Sequence, residues 1–377
     1  MSRVLMVNDI AEIGGGKTSM LDVAGALTTA GFELHLACPP GPLATEGTAM
    51  GMTWHEFVFD ERRMLTPRSR LPRRAALDAR RDEGRRLDDL ALDIGADIVH
   101  TGALVPHLDA MSVRKRSTAR FLWHVNQVHP AYLFAGPLPD RIVSVSAAAL
   151  RPGRWRRRAR RRSVVVPNGV DLERFRAPTP TERQQARDLL GLDGDGLVLV
   201  TVARLEPSKG VDDLIEAVGR ARSHPTLVVV GDSTGYSGGD AHERSLRARA
   251  AELGTDVRFL GARSDVDVIL RSADAFVFAS RWEAFGLVLA EASATGLPVI
   301  TSDAGGCTEV VDDGETGIVV AAGDVAAFAA AIDALASDDE RRSRLGTAGR
   351  AKMSREYDSN LLGARIVPVY RALAEPA

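Results

Sequence analysis

The sequence predicts an α/β fold with two doubly wound parallel sheets, one in each half of the chain. Short apolar runs alternate with helical patterns along nearly the whole sequence, and glycine-rich turns separate them. Such an alternation is typical of βαβ units that build a parallel sheet. The length of 377 residues suits two domains of roughly 150–200 residues each.

The first domain is predicted to span residues 1–172. Its first strand is Arg3–Val7, followed by Gly14, Gly15 and Gly16 and a helix over residues 18–30. Gly31 ends that helix, because glycine readily adopts the left-handed conformation that closes helices. Further strands are expected at 33–37, 98–100, 120–124, 141–145 and 164–166, and a charged surface helix at 61–92.

The second domain is predicted to span residues 173–354. The turn Pro167-Asn168-Gly169-Val170-Asp171 and the polar stretch 177–195 mark the boundary before it. Strands are expected at 197–203, 226–230, 257–260, 275–279 and 298–301, and helices at 212–221, 243–253, 266–271, 286–295 and 325–336. Residues 355–377 form a final helix that could return to the first domain. Two such domains imply a cleft, and open α/β sheets bind ligands beyond the carboxyl ends of their strands.

Composition excludes several function classes. The chain is 45% hydrophobic and 26% charged with a net charge of −2, so nothing favours nucleic acid or an anionic membrane overall. Two cysteines, Cys38 and Cys307, are too few for a disulfide framework or a zinc site. No signal peptide or spanning segment is evident, and a cytoplasmic location is expected.

The strongest chemical signal follows the strand at 197–203. Arg204 and Lys209 flank a short turn that ends in Gly210 and leads into a helix. Cations at a strand's carboxyl end beside a helix N-terminus form an anion site, in which Arg204 can bind two phosphate oxygens and Lys209 supplies a point charge. Only 4 lysines occur beside 44 arginines, so Lys209 is not a product of composition. Two solvated cations flanking a turn are the structural alternative.

A second constellation follows the strand at 275–279. Glu283 precedes Phe285, Gly286 and Leu287 at a predicted helix start, where amides point at an anion. Glu291 lies eight residues beyond Glu283, which is too far for the carboxylate pair of a retaining glycosidase. The two glutamates are therefore expected to contact different parts of one elongated ligand.

Together, Arg204…Lys209, Glu283-x7-Glu291, the Gly305-Gly306 turn and the Pro167–Asp171 turn resemble the retaining family-4 glycosyltransferases of the GT-B fold, in which two Rossmann-like domains face each other across a cleft. The resemblance is tight over residues 163–320 and looser before them. It implies transfer of a sugar from a nucleotide-sugar donor to an acceptor, without a metal or other cofactor.

The resemblance also assigns roles to residues. Arg204 and Lys209 would hold the donor diphosphate, while Glu283 would contact hydroxyls of the donor sugar beside the amides of Phe285, Gly286 and Leu287. Glu291 would accept hydrogen bonds from the ribose, and Leu260 would line the base. In the first domain, Gly14, Gly15 and Gly16 match the family's glycine-rich loop, which would bind the donor. His124 matches its strand-end histidine, which faces the donor sugar and would have a catalytic role; a core histidine is the alternative. A uridine donor is favoured, with guanosine as the alternative and the acceptor open.

Three other interpretations compete. Residues 11–18, ending in Lys17 and Thr18, fit a relaxed phosphate-loop pattern. Three residues separate them from the strand, whereas in a P-loop NTPase the strand passes almost directly into the loop. Nucleotide-sugar epimerases share the architecture. Asp265 and Asp267 resemble a metal-binding pair, although a helix start explains them better.

Eight arginines lie between Arg151 and Arg162 without an acidic residue. This run could contact nucleic acid, an anionic lipid at the inner membrane face, or an anionic acceptor. A solvated basic face is the simplest interpretation. The slightly negative overall charge argues against a protein that works mainly on nucleic acid. Oligomeric state is left open by the sequence.

Overall fold

The computed structural model divides the chain into two compact units, Met1–Gly169 with Ser359–Ala377, and Val170–Asp358. The chain passes from the first unit to the second after Gly169, three residues before the predicted boundary. The last helix belongs to the first unit. The structure describes residues 1–11, 15–60, 73–102, 107, 109–110, 116–126, 139–150, 160–192, 194, 196–234 and 238–375.

The first unit contains one parallel sheet in the order β3-β2-β1-β4-β5-β6-β7. Its strands are β1 (Arg3–Val7), β2 (Glu33–Cys38), β3 (Thr53–Glu56), β4 (Ile98–Thr101), β5 (Arg120–Val125), β6 (Arg141–Ser144) and β7 (Ser163–Val165). Its helices are α1 (Gly15–Thr29), α2 (Pro42–Ala49), α3 (Arg73–Asp93) and, from the chain end, the last helix Asn360–Ala374.

Burial on both faces explains why these strands are almost wholly apolar. One face packs against α1 and the last helix through side chains such as Met20, Leu27 and Tyr370. The other face packs against α3 through Leu87 and Phe121. Helical layers on both faces are the arrangement that the alternating pattern predicted.

The second unit contains a parallel sheet in the order β10-β9-β8-β11-β12-β13. Its strands are β8 (Val198–Val202), β9 (Thr226–Val230), β10 (Val257–Phe259), β11 (Ala275–Phe278), β12 (Val299–Ser302) and β13 (Gly317–Val320). Its helices are α4 (Pro180–Leu189), α5 (Val211–Arg220), α6 (Gly239–Leu253), α7 (Val266–Ser272), α8 (Leu287–Ala294), α9 (Cys307–Val310), α10 (Val325–Ala336) and α11 (Asp339–Lys352), so the last helix is α12.

Two predictions about secondary structure were wrong. The stretch 177–195, interpreted as a polar boundary, contains α4, whose Thr179 caps the helix by accepting a hydrogen bond from the Glu182 amide. The final α-helix begins at Asn360 and not at residue 355, and a π-helical segment over Met353–Tyr357 precedes it. Within the described part of the chain, no helix combines the length and the apolar character that a membrane span requires.

Candidate functional site

The topological switch point of the second sheet lies between β8 and β11. These strands are hydrogen-bonded neighbours although β9 and β10 separate them in sequence. The chain turns in opposite directions on the two sides of this point, which opens a crevice beyond the carboxyl ends of the strands. Arg204 and Lys209 follow β8, and Glu283 follows β11, so the fold brings the two predicted constellations to the same place.

Lys209 and Glu283 form the centre of this site. The Lys209 Nζ lies 2.9 Å from Glu283 Oε2, and both side chains are 17% exposed. Lys209 ends a short 3₁₀ turn, Pro207–Lys209, and its ammonium lies 6.0 Å from the centre of the Phe278 ring. The other Glu283 oxygen accepts a hydrogen bond from the Ala284 amide at 3.1 Å. A cation is thus held against a carboxylate where both side chains are largely shielded from solvent, and each charge acts more strongly there than in water.

Arg204 lies at the open side of the same site. Its side chain is 59% exposed and pairs with Glu206 at 3.2 Å. Glu206 also accepts a hydrogen bond from the Ser208 hydroxyl at 2.7 Å. Glu206 was not identified from the sequence as an ion-pair partner of Arg204, although its position two residues after Arg204 indicated one. An anion that binds Arg204 has to share it with this carboxylate.

The Glu283 loop is supported from behind by Gly305 and Gly306. A Cβ at Gly305 would lie 2.1 Å from the Glu283 carbonyl oxygen, and one at Gly306 would lie 2.3 Å from the Ala284 carbonyl oxygen. The Gly306 amide donates a hydrogen bond to the Glu283 carbonyl at 3.0 Å. Only glycines allow two backbones to approach this closely, so the turn predicted after β12 fixes where Glu283 stands.

Helix α8 begins directly after this loop. Gly286 is its N-cap residue, and Phe285 and Gly286 are buried. The first amides of a helix have no hydrogen-bond partner within the helix and therefore favour an anion. Glu291 lies on the half-buried face of α8 that it shares with Leu287. Glu283 precedes the helix, so the two glutamates do not lie on one helix.

Leu260 follows β10, on the far side of β9 from Arg204. Its amide donates to the Val229 carbonyl at 2.9 Å, and the side chain is half-buried. The next residue, Gly261, accepts a hydrogen bond from the Gly231 amide at 2.8 Å. Leu260 therefore borders the same edge of the sheet as the cations.

The structure describes three of the four candidate site residues in the first unit. Gly14 lies outside the described residues, and Gly15 and Gly16 are the first two residues of α1. His124 is only 2% exposed on β5, and its ring centre lies 5.4 Å from that of His100. Burial lowers the pKa of His124 to about 4, so its imidazole is neutral at physiological pH. The catalytic role of His124 stays a prediction.

Another buried histidine makes the stability of the first unit depend on pH. The His107 ring stacks on Trp123 with centres 4.6 Å apart, and burial lowers its pKa to about 3. An unfolded histidine titrates near 6.5. Below that pH the unfolded chain binds a proton that the folded protein does not, so the free energy of unfolding falls as the pH drops towards 3.

We expect His107→Phe, which retains the stacking, to reduce this acid sensitivity by up to about 1.4 kcal/mol per pH unit between pH 6.5 and 3. Thermal midpoints measured across that range test the prediction, with the exposed His224 changed to Asn as the control. A slope as steep as that of the wild type would contradict it.

The acidic pair after β10 is engaged in ion pairs. Asp265 occupies the N-cap position of α7, but its carboxylate pairs with Arg263 at 2.7 Å and does not cap the helix. Asp267 pairs with Arg271 at 3.0 Å and Arg174 at 3.2 Å. Among the residues that the structure describes, no cluster of three or more His, Cys, Asp or Glu side chains could hold a metal ion.

The arginine run falls mostly outside the described residues, which include Arg160, Arg161 and Arg162 but not 151–159. These three side chains are exposed, and Arg162 donates a hydrogen bond to the Pro139 carbonyl at 2.9 Å. Contact with a membrane, a nucleic acid or an acceptor stays a prediction.

Both halves of the chain match sequence profiles of known families. Residues 13–174 match the profile described as Glycosyltransferase Family 4, and residues 182–352 match the profile described as Glycosyl transferases group 1.

Curated relatives are similar over part of their length. The GDP-mannose-dependent monoacylated alpha-(1-6)-phosphatidylinositol monomannoside mannosyltransferase of Corynebacterium glutamicum is 33% identical over 219 residues, which are 55% of this chain and 55% of the relative. The D-inositol 3-phosphate glycosyltransferase of Stackebrandtia nassauensis is 39% identical over 229 residues, 56% of this chain and 50% of the relative. The chain thus spans about half the length of the curated relatives it matches.

Solved structures are similar over the whole chain. A glycosyltransferase from Rickettsia africae superposes with a TM-score of 0.82 at 20% identity, covering 100% of this chain and 99% of the other. Anabaena HepE, crystallised with UDP-glucose, superposes with a TM-score of 0.81 at 19% identity, covering 99% and 100%. At this identity the likeness concerns the fold.

Proposed function

Since the chain belongs to the family-4 glycosyltransferases of the GT-B fold, we propose that it transfers a sugar from a nucleoside-diphosphate donor to an acceptor hydroxyl. The observation that carries the proposal is the Lys209–Glu283 pair, 2.9 Å apart beside Arg204, at the switch point of the second sheet. This arrangement supplies cations for a diphosphate and a carboxylate for sugar hydroxyls in one place.

The chemistry follows from where charge develops. Cleavage of the anomeric C–O bond leaves negative charge on the departing diphosphate, while the sugar carbon becomes electron-poor. Lys209, Arg204 and the N-terminus of α8 are placed to stabilise that negative charge. Since these groups can neutralise the leaving diphosphate, the proposal includes a metal-independent reaction. Retention of configuration, with the acceptor attacking on the face that the diphosphate leaves, is part of the proposal by family membership.

Donor recognition extends along the carboxyl edge of the second sheet. Glu283 would bind hydroxyls of the donor sugar, Glu291 the ribose, and Leu260 the base. In the first unit, we assign Gly14, Gly15 and Gly16 to donor binding and His124 to catalysis, by family membership. The proposal places the enzyme in the cytoplasm, where the exposed arginines could meet an anionic acceptor or the inner membrane face.

The names of the relatives narrow the substrates to be tested. Those relatives act on a phosphatidylinositol mannoside or on D-inositol 3-phosphate, and HepE was crystallised with UDP-glucose. We therefore propose a UDP-sugar or GDP-mannose as the donor, with UDP-sugars favoured. An inositol- or lipid-linked hydroxyl is the first acceptor class to test.

The test is a thermal-shift screen of the purified protein against UDP-glucose, UDP-N-acetylglucosamine, UDP-galactose and GDP-mannose, followed by hydrolysis and transfer assays with and without EDTA. We expect one nucleotide series to raise the thermal midpoint and to release its nucleoside diphosphate at an EDTA-independent rate. Release of a rearranged sugar without an acceptor would indicate an epimerase. ATP hydrolysis that depends on Lys17 and not on Arg204 would indicate an NTPase, and either result would overturn the proposal.

A further inference from the structure

Arg281 connects the two loops that carry Lys209 and Glu283. Its backbone amide donates a hydrogen bond to the Ser208 carbonyl at 2.8 Å, and its guanidinium donates another to the Pro207 carbonyl. The neighbouring Ser280 hydroxyl also donates to the Ser208 carbonyl, at 3.3 Å. The turn after β8 is therefore held to the loop after β11. On the turn the attachment lies immediately before Lys209, and on the loop it lies two residues before Glu283.

The remaining contacts of Arg281 are with the start of α5. One terminal nitrogen lies 2.8 Å from Asp212 and 2.8 Å from Asp213, both in the first turn of α5. Hydrogen bonding to Asp212 raises the pKa of the guanidinium. Two carboxylates and a carbonyl thus engage Arg281, which leaves it poorly suited to bind a phosphate itself.

We propose that Arg281 is a positioning residue that holds the Lys209 ammonium opposite Glu283 for the donor diphosphate. The inference rests on the proposed function and assigns to that site a residue that makes no contact with the donor. Its basis is the bridge: one arginine contacts the Lys209 turn, the Glu283 loop and the start of α5. An arginine suits this role because its planar fork makes several directed hydrogen bonds at once, which a lysine cannot do.

The bridge constrains the geometry on which the donor site depends. Lys209 directly follows Ser208, and Glu283 is separated from Arg281 only by Trp282, so neither can shift far while the bridge is closed. Displacement of a catalytic group by about 1 Å can cost about 100-fold in rate. Without Arg281, Asp212 and Asp213 would also face each other as like charges, since the pKa of Asp213 is already raised by burial and by Asp212.

The test is a double-mutant cycle between Arg281→Gln and Lys209→Met, read out as the dissociation constant for UDP or GDP, whichever binds the wild type more tightly. We expect Arg281→Gln to weaken binding about tenfold in the wild-type background and less than twofold in the Lys209→Met background, because it acts through Lys209. Arg281→Lys should restore part of the affinity.

The matched control is Arg222→Gln, since Arg222 lies just beyond the other end of α5, pairs with Asp333 at 3.4 Å and is 91% exposed. It should leave binding within twofold of the wild type. Equal losses in both Lys209 backgrounds would show a general structural role and overturn the inference, as would unchanged binding in Arg281→Gln. If the wild type binds neither nucleotide and transfers no sugar, the proposed function falls and the inference falls with it.

Discussion

Lys209→Met should lower kcat/KM for the donor by about 10²–10³-fold, the loss that follows removal of one preorganised group that stabilises charge in a transition state. The Lys209 side chain is only 17% exposed, and its ammonium lies 2.9 Å from one carboxylate oxygen of Glu283. When the sugar leaves, it is the compact charge placed to meet the growing negative charge on the diphosphate. Steady-state kinetics with the donor found in the screen measure the effect.

Glu283→Ala should abolish turnover but, unlike Lys209→Met, should not weaken nucleotide binding. The carboxylate opposes an incoming diphosphate, so its removal should leave the affinity for the free nucleoside diphosphate unchanged or higher, while Lys209→Met lowers it. This split separates a residue that contacts the sugar from one that contacts the diphosphate. Near-normal turnover in either variant, with thermal midpoints close to the wild type, would show that the donor site is not at Lys209 and Glu283.

The sequence was most informative where function is local in the chain. Arg204 and Lys209 lie within one strand–turn–helix unit, so the strand's apolar run and the glycine after Lys209 were enough to place both at a strand end. The same holds for Glu283 and the start of α8. These two strand–turn–helix segments meet because of the strand order, which follows from the βαβ pattern once a doubly wound sheet is assumed.

Contacts between distant segments could not be predicted. Arg281 and Asp212 are 69 residues apart, and no sequence pattern in either segment predicts their contact. The approach of Gly305 to the Glu283 carbonyl is likewise visible only in three dimensions. By contrast, α4 was missed although its signals were present, since Thr179 and Glu182 form a capping box around Pro180 at the first helical turn. Pro178 and Pro180 favour a loop interpretation of this stretch, but the capping box outweighs them.

Gly210 offers the sharpest test of how rigid the donor turn must be. It has a φ of 65° and caps α5, and a Cβ there would lie 2.1 Å from the Ala279 carbonyl oxygen. That oxygen belongs to the backbone just after β11, so it cannot move without the Glu283 loop. Gly210→Ala should therefore push Lys209 and Glu283 apart as well as strain the backbone.

Gly254 is the matched control because its φ is 64° and a Cβ there meets no atom within 4 Å. The left-handed conformation alone costs an alanine about 1–2 kcal/mol, and both variants carry that cost. We expect Gly254→Ala to lower the thermal midpoint slightly and to keep nucleotide affinity and turnover within twofold of the wild type.

Gly210→Ala should lower the midpoint further and reduce kcat/KM by about 100-fold, since displacement of about 1 Å between reacting groups has that cost. The difference between the two alanines isolates the close approach from the backbone strain. If both variants lose stability equally and Gly210→Ala keeps its turnover, the turn tolerates displacement. Lys209 and Glu283 would then not need to be held together for the reaction.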